Sequence, residues 1–93
     1  MAFGWNDNGQ PDMLDASTPR AATTADCHRL VREFGEAAVN ARQAGFDGVE
    51  VHGANGYLFE QFINGELNDR ADDYGGSREN RCSLLLAVCA TRQ

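Results

Sequence analysis

The chain has 93 residues, 42% of them hydrophobic and 24% charged, the profile of an ordinary soluble protein with room for one modest core. Its formal charge is −6 and its eight basic residues are all arginines scattered along the chain, so no basic block offers a phosphate-tracking face and nucleic acid is excluded as a partner. No apolar run approaches the roughly 20 residues that cross a bilayer, and residues 1–10 lack the basic and apolar regions of a signal peptide, which implies a cytoplasmic protein with no membrane partner.

Residues 1–20 hold Gly4, Asn6, Asp7, Asn8, Gly9, Pro11 and Pro19, turn formers without sustained periodicity, and read as a loop or frayed terminus ahead of a structured segment over 21–93. Thr23, with Asp26 three residues on, forms a capping box in which Asp replaces the usual Glu. Cys27, Leu30, Val31, Phe34, Ala37, Ala38 and Ala41 then recur at helical spacing, which predicts a helix from Thr24 to Gln43. Gly45 sits where a left-handed C-terminal cap requires a residue without Cβ.

After the Phe46-Asp47-Gly48 turn, Val49, Glu50, Val51 and His52 read as a short strand, the valines facing one way and Glu50 and His52 the other. A short helix follows over 57–63, then a polar, glycine-punctuated loop over 64–76. Ser77 caps a last helix with Glu79 in its first turn and Cys82, Leu85, Leu86 and Cys89 on one face. The three cysteines, Cys27, Cys82 and Cys89, show no CxxC spacing and read as reduced thiols filling apolar positions. His28 and His52 lie on different elements without HxxxH or HxH spacing, so no metal centre is expected.

Chemistry is concentrated in His52-Gly53-Ala54-Asn55-Gly56-Tyr57, which places three hydrogen-bonding side chains on a glycine-opened turn at the end of the strand. In α/β proteins that is where catalytic groups are displayed over a ligand. An imidazole N–H and an amide N–H₂ three residues apart across a tight turn can converge on one acceptor oxygen. A phenol with a pKa near ~10 keeps its proton at neutral pH and can still give it to an enolate.

From Thr18-Pro19-Arg20, through Ala44-Gly45-Phe46-Asp47-Gly48-Val49-Glu50-Val51-His52-Gly53-Ala54, to Asn68-Asp69-Arg70, Tyr74-Gly75-Gly76-Ser77 and Glu79-Asn80-Arg81, the chain resembles the old yellow enzyme family of flavin-dependent ene-reductases, including the oxophytodienoate reductases. The resemblance covers residues 18–88. It implies a TIM barrel that binds FMN, takes a hydride from NAD(P)H and passes it to the β-carbon of an α,β-unsaturated carbonyl compound, with enones and phenols as small-molecule ligands. It assigns substrate binding to His52 and Asn55, proton donation to Tyr57, and a contact with the cofactor to His52. Some relatives carry a second histidine where this chain has Asn55, and both side chains are donors. The Asp69-Arg70 and Asn80-Arg81 pairs read as structural, orienting the long loop and the start of the last helix.

The fold expected is therefore α/β: a fragment of a (β/α)₈ barrel, about one and a half βα units with one strand. A complete barrel takes roughly 250 residues, and the segments that would hold the flavin ring and phosphate lie outside the resemblance. The chain reads as a partial family member, whether a truncated gene product, a gene-model fragment or a decayed copy. A reading from a different class stands beside the enzymatic one: a catalytically silent fragment acting at most as a helical interaction module, self-associating through exposed apolar helix faces.

Overall fold

The computed structural model describes residues 2–91. Its elements run β1 (Ala2–Trp5), β2 (Pro11–Leu14), α1 (Thr24–Gln43), α2 (Leu58–Ile63) and α3 (Arg78–Ala90).

The ends of α1 are set by its own sequence. The Thr23 hydroxyl accepts the Asp26 N–H at 3.0 Å and the Asp26 carboxylate accepts the Thr23 N–H at 2.9 Å, a reciprocal capping box. At the other end Gly45 is left-handed at φ +99°. Its N–H donates to the Arg42 carbonyl at 3.0 Å while that of Phe46 donates to Ala41 at 3.1 Å, the paired bonds of a Schellman cap.

Residues 1–20 are not all loop. Within them β1 and β2 pair antiparallel, with Phe3 opposite Met13 and Trp5 opposite Pro11. The turn formers that suggested a loop build the hairpin's connection: Asn6 Oδ1 accepts the N–H groups of Asn8 and Gln10, both at 3.0 Å, and Gly9 takes φ +74°. Strands of four residues are too short to show a period, and Gly4 and Pro11 dilute the β signal. Met1 lies outside the described residues. Among the described residues no helix packs on this hairpin, and Phe3, Trp5 and Met13 are exposed.

A second correction concerns residues 49–52, which form no strand. The β-branched pattern is present, but a ladder needs a neighbour, and no described segment lies alongside to accept those N–H and C=O groups. All four residues are exposed, so Glu50 needs no buried partner. The fold is thus three helices and one hairpin, with neither a parallel sheet nor a βα repeat among the described residues.

The core lies where the helices meet. Cys27 of α1, Phe59 and Phe62 of α2, and Leu84 and Val88 of α3 are buried, with Val31, Phe34, Leu58 and Tyr74 packed around them. The Phe34 and Phe59 rings are 5.2 Å apart and tilted by 48°. On α3 the buried positions are Leu84 and Val88; of the expected Cys82, Leu85, Leu86 and Cys89, Leu85 is half-buried against the core and Cys82 is half-buried, while Leu86 and Cys89 are exposed. A run of three leucines leaves the face undetermined by period, and contact with both other helices decides it.

The 64–76 loop is held by its polar side chains. Asn68 Nδ2 donates to the carbonyls of Phe62 (2.7 Å) and Tyr74 (2.9 Å). Arg70 forks onto Asp72, with Nε to Oδ1 at 3.0 Å and Nη2 to Oδ2 at 2.6 Å, donates to the Ala22 carbonyl, and lies 5.3 Å over the Phe62 ring. Asp72 also accepts the Thr24 hydroxyl at 2.6 Å, so one ion pair ties the loop to the start of α1. Arg81 Nε donates to the Ile63 carbonyl at 2.9 Å and Nη1 to that of Gly76 at 2.7 Å, while Asn80 Nδ2 donates to Gly75 at 3.0 Å. The Asn80-Arg81 pair acts as expected, whereas the loop's ion pair is Arg70–Asp72 and Asp69 is exposed.

Candidate functional site

The 52–57 turn lies between residues 46–51 and α2. Asn55 has φ +61° and Gly56 φ +79°, two successive left-handed residues. Asparagine is among the few side chains that adopt this conformation readily, and glycine adopts it without a Cβ penalty. The Tyr57 N–H donates to the Ala54 carbonyl at 3.4 Å, closing the turn, and Tyr57 becomes the N-cap residue of α2.

Of the three residues singled out in the sequence, the structure brings two side chains together. The His52 and Tyr57 rings stand 5.3 Å apart at 47°. Asn55 lies between them in sequence, at the crest of the turn. All three are exposed, Tyr57 by 62%, and their side chains make no hydrogen bond to any described residue, which leaves the imidazole, amide and phenol groups free for a ligand.

Two residues that sequence reading missed shape this turn. The Glu60 carboxylate accepts the Gly56 N–H, and Gln61 Nε2 donates to the Gly56 carbonyl at 3.0 Å. The only sequence signal was an acidic residue and an amide in the first turns of a short helix following an Asn-Gly pair.

The perturbed titrations lie away from the turn. The Arg70 fork, with the Thr24 hydroxyl, holds the Asp72 carboxyl well below the usual carboxylate range. The hydrogen bond from Arg20, at 2.6 Å, and the Thr23 N–H do the same for Asp26. Burial pushes the Cys27 thiol and the Tyr74 phenol up. His28 is edge-on to Tyr74, with centroids 6.0 Å apart, so the two histidines pack against different tyrosines.

A groove of about 490 Å³ separates α1, residues 49–51 and α3, walled by Phe34, Ala38, Val49, Val51, Val88 and Cys89. No described helix is long and apolar enough to cross a membrane.

Comparison with known proteins gives the turn its context. The model of the NADH:flavin oxidoreductase / NADH oxidase family matches residues 6–91. 12-Oxophytodienoate reductase 1 of Oryza sativa subsp. japonica is 53% identical over 72 residues, 77% of this chain and 19% of the relative. Among solved structures, morphinone reductase superposes with a TM-score of 0.84 at 42% identity, over 94% of this chain and 23% of that one. Morphinone reductase in complex with tetrahydroNAD gives a TM-score of 0.83 at 43% identity, over 92% and 24%. The chain therefore spans about a fifth of the length of the curated relatives it matches. Matched over nearly its whole length in sequence and in fold, and carrying its free donors within the matched segment, the chain belongs to the NADH:flavin oxidoreductase / NADH oxidase family, the old yellow enzymes.

Proposed function

We propose that this chain supplies the substrate-binding turn of an FMN-dependent oxidoreductase that reduces the C=C bond of α,β-unsaturated carbonyl compounds with NAD(P)H. In this reading it is a segment of a (β/α)₈ barrel, acting in the cytoplasm. The observation that carries the proposal is the 52–57 turn: His52 and Tyr57 with rings 5.3 Å apart, Asn55 at the crest, and all three polar groups free.

Addition of hydride to an enone builds negative charge on the carbonyl oxygen. Donors aimed at that oxygen favour the transition state over the ground state, and His52 and Asn55 are such donors. Tyr57 gives its proton to the α-carbon; beside His52, it stands next to the group that holds the carbonyl. The same donors suit a phenolate oxygen, so phenols belong to the proposed ligand class.

An FMN molecule needs a slot for a flat ring and a cradle of N–H groups or cations for its phosphate. The 52–57 turn suits the oxygen edge of a ring or of a carbonyl ligand, and His52 is the residue proposed to touch the flavin. The exposed turn gives no phosphate cradle, so these residues fit the substrate side of the site and do not hold the cofactor by themselves. Bound FMN would supply the hydride; binding and protonation of the substrate are what this chain contributes. The purified chain alone is accordingly expected to be colourless.

The test is a chimera in which this chain replaces the matching segment of morphinone reductase. Retained flavin and nicotinamide-dependent enone reduction would support the reading. A chimera that keeps its flavin but neither binds phenols nor reduces enones would contradict it.

A second reading, a catalytically silent module that self-associates, draws on the open apolar groove and on the exposed Phe46, Val49 and Leu86. Size-exclusion chromatography of the purified chain separates the two. A compact monomer at high concentration argues against association.

A further inference from the structure

We propose that Glu60 and Gln61 are positioning residues that grip both sides of Gly56 and thereby set the aim of Asn55 and Tyr57. The inference rests on the reading of the 52–57 turn as the substrate site. The N–H accepted by Glu60 belongs to the peptide joining Asn55 to Gly56. The carbonyl reached by Gln61 belongs to the next peptide, which joins Gly56 to Tyr57. These two planes fix the backbone on the C-terminal side of Asn55 and the N-terminal side of Tyr57, so the side chains of α2 determine how both residues leave the turn.

Helix capping does not account for this arrangement. In a capping box the third helical residue returns to the N–H of the cap residue, here Tyr57. That N–H is turned instead to Ala54, and Glu60 reaches one residue further back. Asn55 and Gly56 can both adopt the left-handed conformation, but it is one of several open to them in a free chain, and contacts from outside the turn select it. A carboxylate acceptor on one peptide and an amide donor on the next supply that selection from a helix whose Phe59 and Phe62 are anchored in the core.

The experiment is NMR on the full chain without ligand. In the unmutated chain the Gly56 amide, although exposed, should exchange with solvent on the order of tenfold more slowly than an unbonded amide, and the His52 and Tyr57 rings should show mutual cross-peaks. Glu60→Ala and Gln61→Glu, the latter isosteric but unable to donate, should lose those cross-peaks while keeping the Phe34–Phe59 contact as an internal control. Glu60→Gln, which keeps an acceptor oxygen, should retain them. Full His52–Tyr57 cross-peaks in both Glu60→Ala and Gln61→Glu would overturn the proposal. If Glu60→Ala fails to fold, Gly56 exchange in the unmutated chain decides, and an unprotected amide overturns it. Because no ligand is present, absence of phenol binding in the chimera would count against the proposed function and leave this result standing.

Discussion

The imidazole of His52 and the phenol of Tyr57 lie 5.3 Å apart, five residues apart in sequence, because the turn between them carries two left-handed residues. In the proposed reading the contact puts a carbonyl-binding donor beside a proton donor, and that chemistry depends on the proximity.

If His52 and Asn55 share one ligand oxygen, replacing both with alanine in the morphinone reductase chimera should abolish most phenol binding while flavin content stays unchanged. Loss of one donor to a developing oxyanion typically costs on the order of 10²–10³ in rate. Titration with a phenol, followed by the flavin absorbance, measures the effect. Unchanged affinity in the double variant would remove these residues from the substrate site.

Gly75 is buried, and a Cβ added there would run into the backbone carbonyl of Arg70, which cannot move aside as a flexible side chain could. Gly75→Ala is expected to destabilise the chain by about 1–3 kcal/mol, the usual cost of overpacking. Urea unfolding followed by circular dichroism checks this. A midpoint equal to that of the unmutated chain would show that the loop gives way without cost.

Stability should fall in acid through Asp26 and Asp72. Both carboxyls are held below their ordinary range in the folded chain, Asp72 first by Arg70 and Asp26 first by Arg20. Below an ordinary carboxylate pKa of about 3.9 the unfolded chain binds protons that the folded chain does not, so stability is fully present above that pH and is lost as the pH falls through the folded values. Urea midpoints measured from pH 7 to pH 2 should be flatter for Asp72→Asn than for the unmutated chain. Equal slopes would show that the Arg70–Asp72 fork carries no linkage.

How much of this was legible in the sequence varies with the range of the forces involved. Helix α1 was readable from end to end, because Thr23, Asp26 and Gly45 act on neighbours within one turn. The hairpin was hidden because its strands are four residues long and its turn formers look like any loop. Residues 49–52 carry a strand pattern, but pairing depends on a neighbouring segment, and a period cannot report whether one is present. The buried face of α3 was legible only in part for the same reason: Leu85 does pack on the core, but Leu84, Leu85 and Leu86 are equivalent until α1 and α2 select among them. In the site, His52, Asn55 and Tyr57 stood out as a motif. Glu60 and Gln61 did not, because their role is visible only once helix α2 turns them back on Gly56.

Whether this turn binds a carbonyl and protonates its α-carbon is tested by rapid-mixing kinetics of Tyr57→Phe in the chimera, with the two half-reactions timed separately. The phenol hydroxyl has a use only when the substrate carbon takes its proton. Enone reduction should slow by roughly 10²-fold or more while reduction of the flavin by the nicotinamide nucleotide stays nearly unchanged. Equal slowing of both half-reactions, or of neither, would contradict this reading.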